Sequence, residues 1–401
     1  MRAVFIENGI STDETQKPGI SGGDVIIMEV ARHWKARGFS VDFITTEAGA
    51  KLGRALDLDA SFHVSRGRSG TSHASYAATA WHNLVSLPPE LIRGPVDVIV
   101  TSNEQVYNVI PGYKLSRLHR KRATWVSILH FVPRQPWIPT MRAAAKSYVF
   151  YLSHVIGVEM IRRWSDSCFA ISEPTARDYV QKMHYPRSKV HAIPAGVDVS
   201  VAREVLATGQ QKGYQGLFLG SLRPAKGIFD LVPIWVEVIK HVPNARLAIA
   251  GSGTADVIRS LRKRIAQAHL DGYITLVGPI YDARLKYELI AKCHVLLLPS
   301  YEENWAMVVG EALASEVPVV VYDLKRLREV WGPYLRYVPV GDTKGLAQQV
   351  VELLEHRPSE HDVDAKAAAE FVSAFDWAKI ADDMLHIVAP RFPSSETFER
   401  R

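Results

Sequence analysis

The chain has 401 residues, 47% hydrophobic and 22% charged, enough for two cores of roughly 200 residues each and too apolar for disorder beyond the last few residues. Its two cysteines, Cys168 and Cys293, lie far apart in apolar strand-like segments, which excludes a disulfide framework and fits buried thiols in a reducing cytoplasm. The net charge of +6 is uneven: residues 1–196 hold 24 Lys/Arg against 16 Asp/Glu, residues 197–401 hold 24 against 26, so the first half suits an anionic partner such as a phospholipid surface.

Met1 to Glu7 reads as a short strand running straight into a loop, without the apolar run and cleavage site of a signal peptide. Further strand-like runs fall at 41–45, 96–101, 124–129, 167–171 and 190–194, alternating with helix-period segments at 24–37, 142–163 and 175–184. The most apolar helix, around 147–161, contains His154 and Glu159 and is too short and polar to span a bilayer. After a polar stretch at 205–216 a second alternation begins, with strands expected at 217–220, 246–250, 273–277, 295–299, 317–321 and 335–338. Strands separated by helices predict βαβ units, so the fold class is α/β with two doubly wound Rossmann-like domains joined near 196–215.

In such sheets ligands bind at the carboxyl ends of the strands. The first such junction, Ile6-Glu7-Asn8-Gly9, leads through a loop to Gly22 and Gly23, which open a helix where an anion can approach free backbone N–H groups. His130 directly follows the strand at 124–129. Gly220 ends another strand and is followed by Ser221, Arg223, Lys226 and Gly227, a cationic pair before a helix expected near Ile228, suited to a pyrophosphate. The run Pro299, Ser300, Tyr301, Glu302, Glu303, Asn304, Trp305, Ala306, Met307, Val308, Val309, Gly310, Glu311 is the most informative. It sets Glu303 in a loop and Glu311 two turns into the next helix, among apolar neighbours where a carboxylate needs polar partners such as ribose hydroxyls. Asp57 and Asp59 have the spacing of a metal pair but lie in an irregular stretch, the histidines lack metal-ligand spacing, and no Ser or Cys sits in a nucleophile elbow.

At Glu303 and Glu311 the sequence resembles the retaining GT-B glycosyltransferases of family 4. Ser21-Gly22-Gly23 resembles that family's acceptor-side loop and His130 its histidine after a central strand; residues 169–172 and 194–198 resemble the approach to its interdomain linker. Phe375-Asp376-Trp377 resembles the start of its final helix, which there crosses back onto the N-terminal domain. The resemblance implies an acceptor domain over 1–200, a nucleotide-sugar domain over 201–376 and a tail over 377–401 packing on the first. It also implies roles by matching position: Glu311 on the ribose, Glu303 beside the transferred sugar, Lys226 on the diphosphate, and Gly220, Ser221, Arg223, Asn304, Trp305, Ala306, Met307 and Val308 around the donor. Ser221 stands where the family has arginine, with Arg223 two residues on, and Asn304-Trp305 replaces the commoner Gly-Phe, adding bulk beside the sugar pocket.

The implied reaction is transfer from a UDP- or GDP-sugar with retention and without metal or other cofactor, to a glycan or lipid-linked acceptor, in the cytoplasm or at the inner face of the membrane. The other readings are a nucleotide-sugar epimerase, a phosphorylase, or a non-catalytic nucleotide-sugar-binding scaffold. Nucleic acid is not an expected partner. Basic residues from Lys114 to Arg122, with Trp137, Tyr148 and Tyr151, suit contact with anionic lipid.

Overall fold

The computed structural model describes residues 1–10, 21–65, 82, 87–133, 141–355 and 364–389. The chain divides into two compact units: Met1–Ala195 with Ala378–Arg401, and Gly196–Trp377. Trp137 and the last few residues lie outside the described residues.

The first unit is built on a seven-stranded sheet of order β3-β2-β1-β4-β5-β6-β7. Its strands are β1 (Arg2–Glu7), β2 (Ser40–Thr45), β3 (Ser61–Val64), β4 (Val98–Thr101), β5 (Thr124–Leu129), β6 (Ser167–Ala170) and β7 (Val190–Ala192), all paired in parallel. Helices cover the central strands on both faces, so these read as continuous apolar runs without alternation. The strand Ser61–Val64 was not expected from sequence. It is a four-residue edge with no buried position, so it carries neither a continuous apolar run nor a clean alternation. Phe5 stacks on Phe43 with ring centroids 5.2 Å apart and meets fully buried Trp34 at 5.4 Å, fixing the Gly22–Ala36 helix against β1.

From Ala378 the chain belongs to this first unit. Within the Trp377–Val388 helix, the carbonyl of Ala381 accepts from Trp34 Nε1 at 3.1 Å, and Asp382 Oδ2 accepts from Arg37 Nη2 at 2.6 Å.

The second unit has a six-stranded parallel sheet of order β10-β9-β8-β11-β12-β13. These are β8 (Tyr214–Leu219), β9 (Leu247–Ala250), β10 (Ile274–Gly278), β11 (Cys293–Leu298), β12 (Val319–Tyr322) and β13 (Arg336–Val338). Each sheet reverses its winding once, between β1 and β4 in the first unit and between β8 and β11 in the second. The loops leaving those four strands diverge and open the crevice where doubly wound sheets bind ligands.

Candidate active site

In the second unit, the loops after β8 and β11 carry the two runs expected to hold the donor, and they interlock through backbone. Tyr301 N donates to Ala225 O at 2.9 Å. Gly227 has φ +67°, and a Cβ there would lie 1.8 Å from the carbonyl oxygen of Pro299, so only glycine permits this approach. The same left-handed residue ends a 3-10 turn over Pro224–Lys226, and the following helix begins at Leu231 instead of near Ile228. Asp230, directly before that helix, makes no capping bond; its Oδ2 accepts from the hydroxyls of Tyr301 at 2.7 Å and Tyr322 at 2.8 Å.

Across the junction Lys226 Nζ lies 2.7 Å from Glu303 Oε1, which also accepts from the fully buried Ser300 hydroxyl at 2.8 Å. Arg223 does not join them: it is exposed, and its Nε donates to Ser221 Oγ at 3.2 Å. The helix after the β11 loop, Met307–Ala314, is entered through Ala306 with φ 57°, and no side chain caps it. Its first amides are therefore open to an anion or hydroxyl. Because this helix starts only at Met307, Glu311 sits about one turn into it, not two. Glu311 is 7% exposed and pairs with Lys286 Nζ at 2.6 Å.

Trp305 departs from the expected bulk beside a sugar pocket. Its indole is buried against Trp331, with centroids 4.9 Å apart, and Phe375, at 5.2 Å, while its carbonyl accepts from Trp331 Nε1 at 2.7 Å. The larger ring finds apolar partners, which favours burial over the loop surface. Asn304 stays partly exposed, as do Gly220, Ser221, Met307 and Val308.

In the first unit, the loops after β1, β4 and β5 gather polar groups where a sheet end is otherwise apolar. Ser21 caps the Gly22–Ala36 helix, with Asp24 closing the capping box. A Cβ on Gly23 would meet His130 Cε1 at 3.2 Å, so this turn packs directly on the imidazole. His130 Nε2 bonds the carbonyl of Ser102 at 2.8 Å. A carbonyl only accepts, so Nε2 carries the hydrogen. His130 N donates to Glu104 Oε1 at 2.5 Å, and Tyr179 OH donates to the same oxygen at 2.9 Å. Glu7 is 2% exposed and accepts from Gly9 N at 2.5 Å. Burial, and behind it the charge of Asp24, push its carboxyl up to about 8; burial likewise raises Asp24 to about 6 against its bonds with Ser21.

Sequence reasoning missed Lys286, Ser102 and Glu104, and quoted Glu7 without giving it a role. Ser102 and Glu104 follow the apolar strand β4 and were open to the strand-end rule; Lys286 has no local signal, being an ordinary lysine in the Ala283–Ala291 helix.

Two family models match in tandem: Glycosyltransferase Family 4 over residues 20–201 and Glycosyl transferases group 1 over residues 214–356. The phosphatidyl-myo-inositol mannosyltransferase of Mycobacterium leprae (strain TN) is 30% identical over 201 residues, 49% of this chain and 52% of that protein. The chain thus spans about half the length of that relative. The D-inositol 3-phosphate glycosyltransferase of Xylanimonas cellulosilytica is 24% identical over 353 residues, covering 80% of each chain. Among solved structures, Anabaena HepE in complex with UDP-glucose superposes with a TM-score of 0.70 at 16% identity, over 97% of this chain and 100% of that one, a likeness of fold. With the two parallel sheets, their reversal points and the paired glutamates, these matches show that the chain is a member of the family 4 glycosyltransferases, the Glycosyl transferases group 1.

Proposed function

We propose that this protein transfers a sugar, with retention of anomeric configuration, from a nucleoside diphosphate sugar held in the second unit to an acceptor held by the first. The observation that carries the reading is the Lys226–Glu303 pair at the reversal of the second sheet, 2.7 Å apart, beside a helix whose N-terminus no side chain caps. The bond from the anomeric carbon to the diphosphate oxygen breaks, and negative charge grows on the leaving group. Lys226 and the open amides of Met307 and Val308 meet that charge without a metal ion. The acceptor hydroxyl attacks from the face the diphosphate leaves, and its proton passes to the departing phosphate oxygen. Glu303 lies beside the sugar and Glu311 binds the ribose. His130, on the first unit, is assigned a catalytic part in the transfer.

The names of both relatives carry inositol and phosphate, and the first half of this chain is the basic one, which favours an anionic polyol acceptor, free or lipid-linked. For the lipid-linked form, the exposed Tyr148, Leu152 and Ile156 share one face of the Met141–Trp164 helix, and Arg117, Arg120, Lys121 and Arg122 lie exposed on the same unit. Such a face rests on an anionic bilayer surface. Co-sedimentation with phosphatidylglycerol vesicles that falls with salt supports this; retention in the supernatant at low salt removes it.

The test of the transfer itself is a screen of UDP- and GDP-sugars for release of nucleoside diphosphate with and without inositol phosphate, in buffer containing EDTA. Turnover of one donor, with an α-linked product from an α-linked donor, is expected. A changed sugar nucleotide, or binding without turnover, sinks the proposal in favour of an epimerase or a scaffold.

A further inference from the structure

We infer that Lys286 is a positioning residue of the donor site, holding one oxygen of Glu311 so that the other meets the paired hydroxyls of a ribose. The inference rests on the nucleotide reading above.

Glu311 is 7% exposed, and a carboxylate so nearly withdrawn from water must be charge-matched or hydrogen-bonded. Lys286 Nζ meets Oε1 at 2.6 Å. Among the described residues, no hydrogen bond other than this one is made by the Glu311 carboxylate. Among the described residues, Oε2 is not one of the buried side-chain atoms without a hydrogen bond, so it is not sealed in the core. It is an acceptor at the edge of the site with nothing yet to accept from.

The lysine is itself held. Its ammonium lies 5.2 Å from the ring centroid of Tyr287, which is fully buried and whose hydroxyl accepts from Asp198 N at 3.1 Å. The two glutamates are therefore matched in different ways. Lys226 comes from the phosphate-side loop and can turn to a diphosphate while Ser300 keeps hold of Glu303. Lys286 comes from the Ala283–Ala291 helix preceding β11 and serves Glu311. One bond to Oε1 fixes the carboxylate plane before the ligand arrives, so orienting it costs binding nothing further. Such an acceptor separates a ribose from a sugar lacking the hydroxyls.

The experiment is calorimetric titration of the full chain with UDP and GDP, each beside its 2′,3′-dideoxy counterpart. The wild type is expected to prefer the ribo form of one base at least about tenfold, and Glu311→Gln to lose most of that preference. Lys286→Met is expected to bring the ratio to within about twofold while affinity for the dideoxy form changes little, and Lys286→Arg to restore part of it. A lysine that only stabilised the fold would lower the melting temperature and leave the ratio untouched. If Lys286→Met does not fold, Lys286→Gln makes the same comparison. A ratio kept by a folded, uncharged variant overturns this inference and leaves the nucleotide reading standing. A wild type that binds nucleotide without ribose preference does the same; one that binds neither nucleotide overturns both.

Discussion

Gly227 shows how a single residue can hold a site together. Its left-handed backbone and the 1.8 Å approach to Pro299 O leave no room for a methyl group, so Gly227→Ala must part the β8 and β11 loops. Strain of this kind costs about 1–3 kcal/mol before the collision is counted. The expected outcome is a urea midpoint lowered accordingly and a loss of nucleotide binding larger than the loss of stability. An unchanged affinity would mean that the loop contact does not form the site. Glu7 makes a prediction in pH. Its carboxyl, raised to about 8, stays protonated in the folded chain where the unfolded chain has already ionised. Stability from it is full below the ordinary glutamate range and is lost as pH rises through about 8. Asp42 acts in the opposite sense: burial opposes its ionisation, but hydrogen bonds from Arg2 and His63 hold it at about 2, so its contribution is lost in acid. Glu7→Gln should flatten the decline of melting temperature between roughly pH 5 and 9 and leave the acid limb in place.

Two elements depend on how they begin or end. The Met307–Ala314 helix starts from Ala306 in the left-handed region with no cap, a conformation that costs an alanine roughly 1 kcal/mol. Ala306→Gly is expected to raise thermal stability by about that amount, while Ala306→Val lowers it; equal melting temperatures for the two would contradict the strain. The Trp377–Val388 helix is tied by Arg37, whose guanidinium reaches both Asp382 and the carbonyl of Ala378. Both side chains of that ion pair are about one-fifth exposed, so Arg37→Ala should cost about 1–3 kcal/mol in chemical denaturation, below the figure for a fully buried pair.

At the scale of the whole molecule, the chain leaves its first unit at Ala195 and re-enters it at Ala378, so that unit is complete only when the last helix has been made. Truncation after Trp377, the last residue of the second unit, removes the acceptor of the Trp34 indole N–H. It is expected to speed amide exchange along the Gly22–Ala36 helix, with 214–355 exchanging as before. Uniform acceleration in both units would show instead that the tail stabilises the chain at large. The alternation of strand and helix and the two sheets were legible in sequence because continuous apolar runs stop at turn residues: β8 is followed by Gly220 and β11 by Pro299-Ser300. The edge strand Ser61–Val64 was not, since a half-exposed strand has no period of its own. Nor was Lys286, because its tie to Glu311 joins residues 25 positions apart on two different helices. Composition and local spacing determined the class of fold, and the run from Pro299 to Glu311 carried the resemblance to the family. Only the tertiary structure decided that Trp305 turns into an aromatic core, that Arg223 stays out of the Lys226–Glu303 pair and that Glu311 has its own lysine, for these follow from packing between segments that no local pattern encodes.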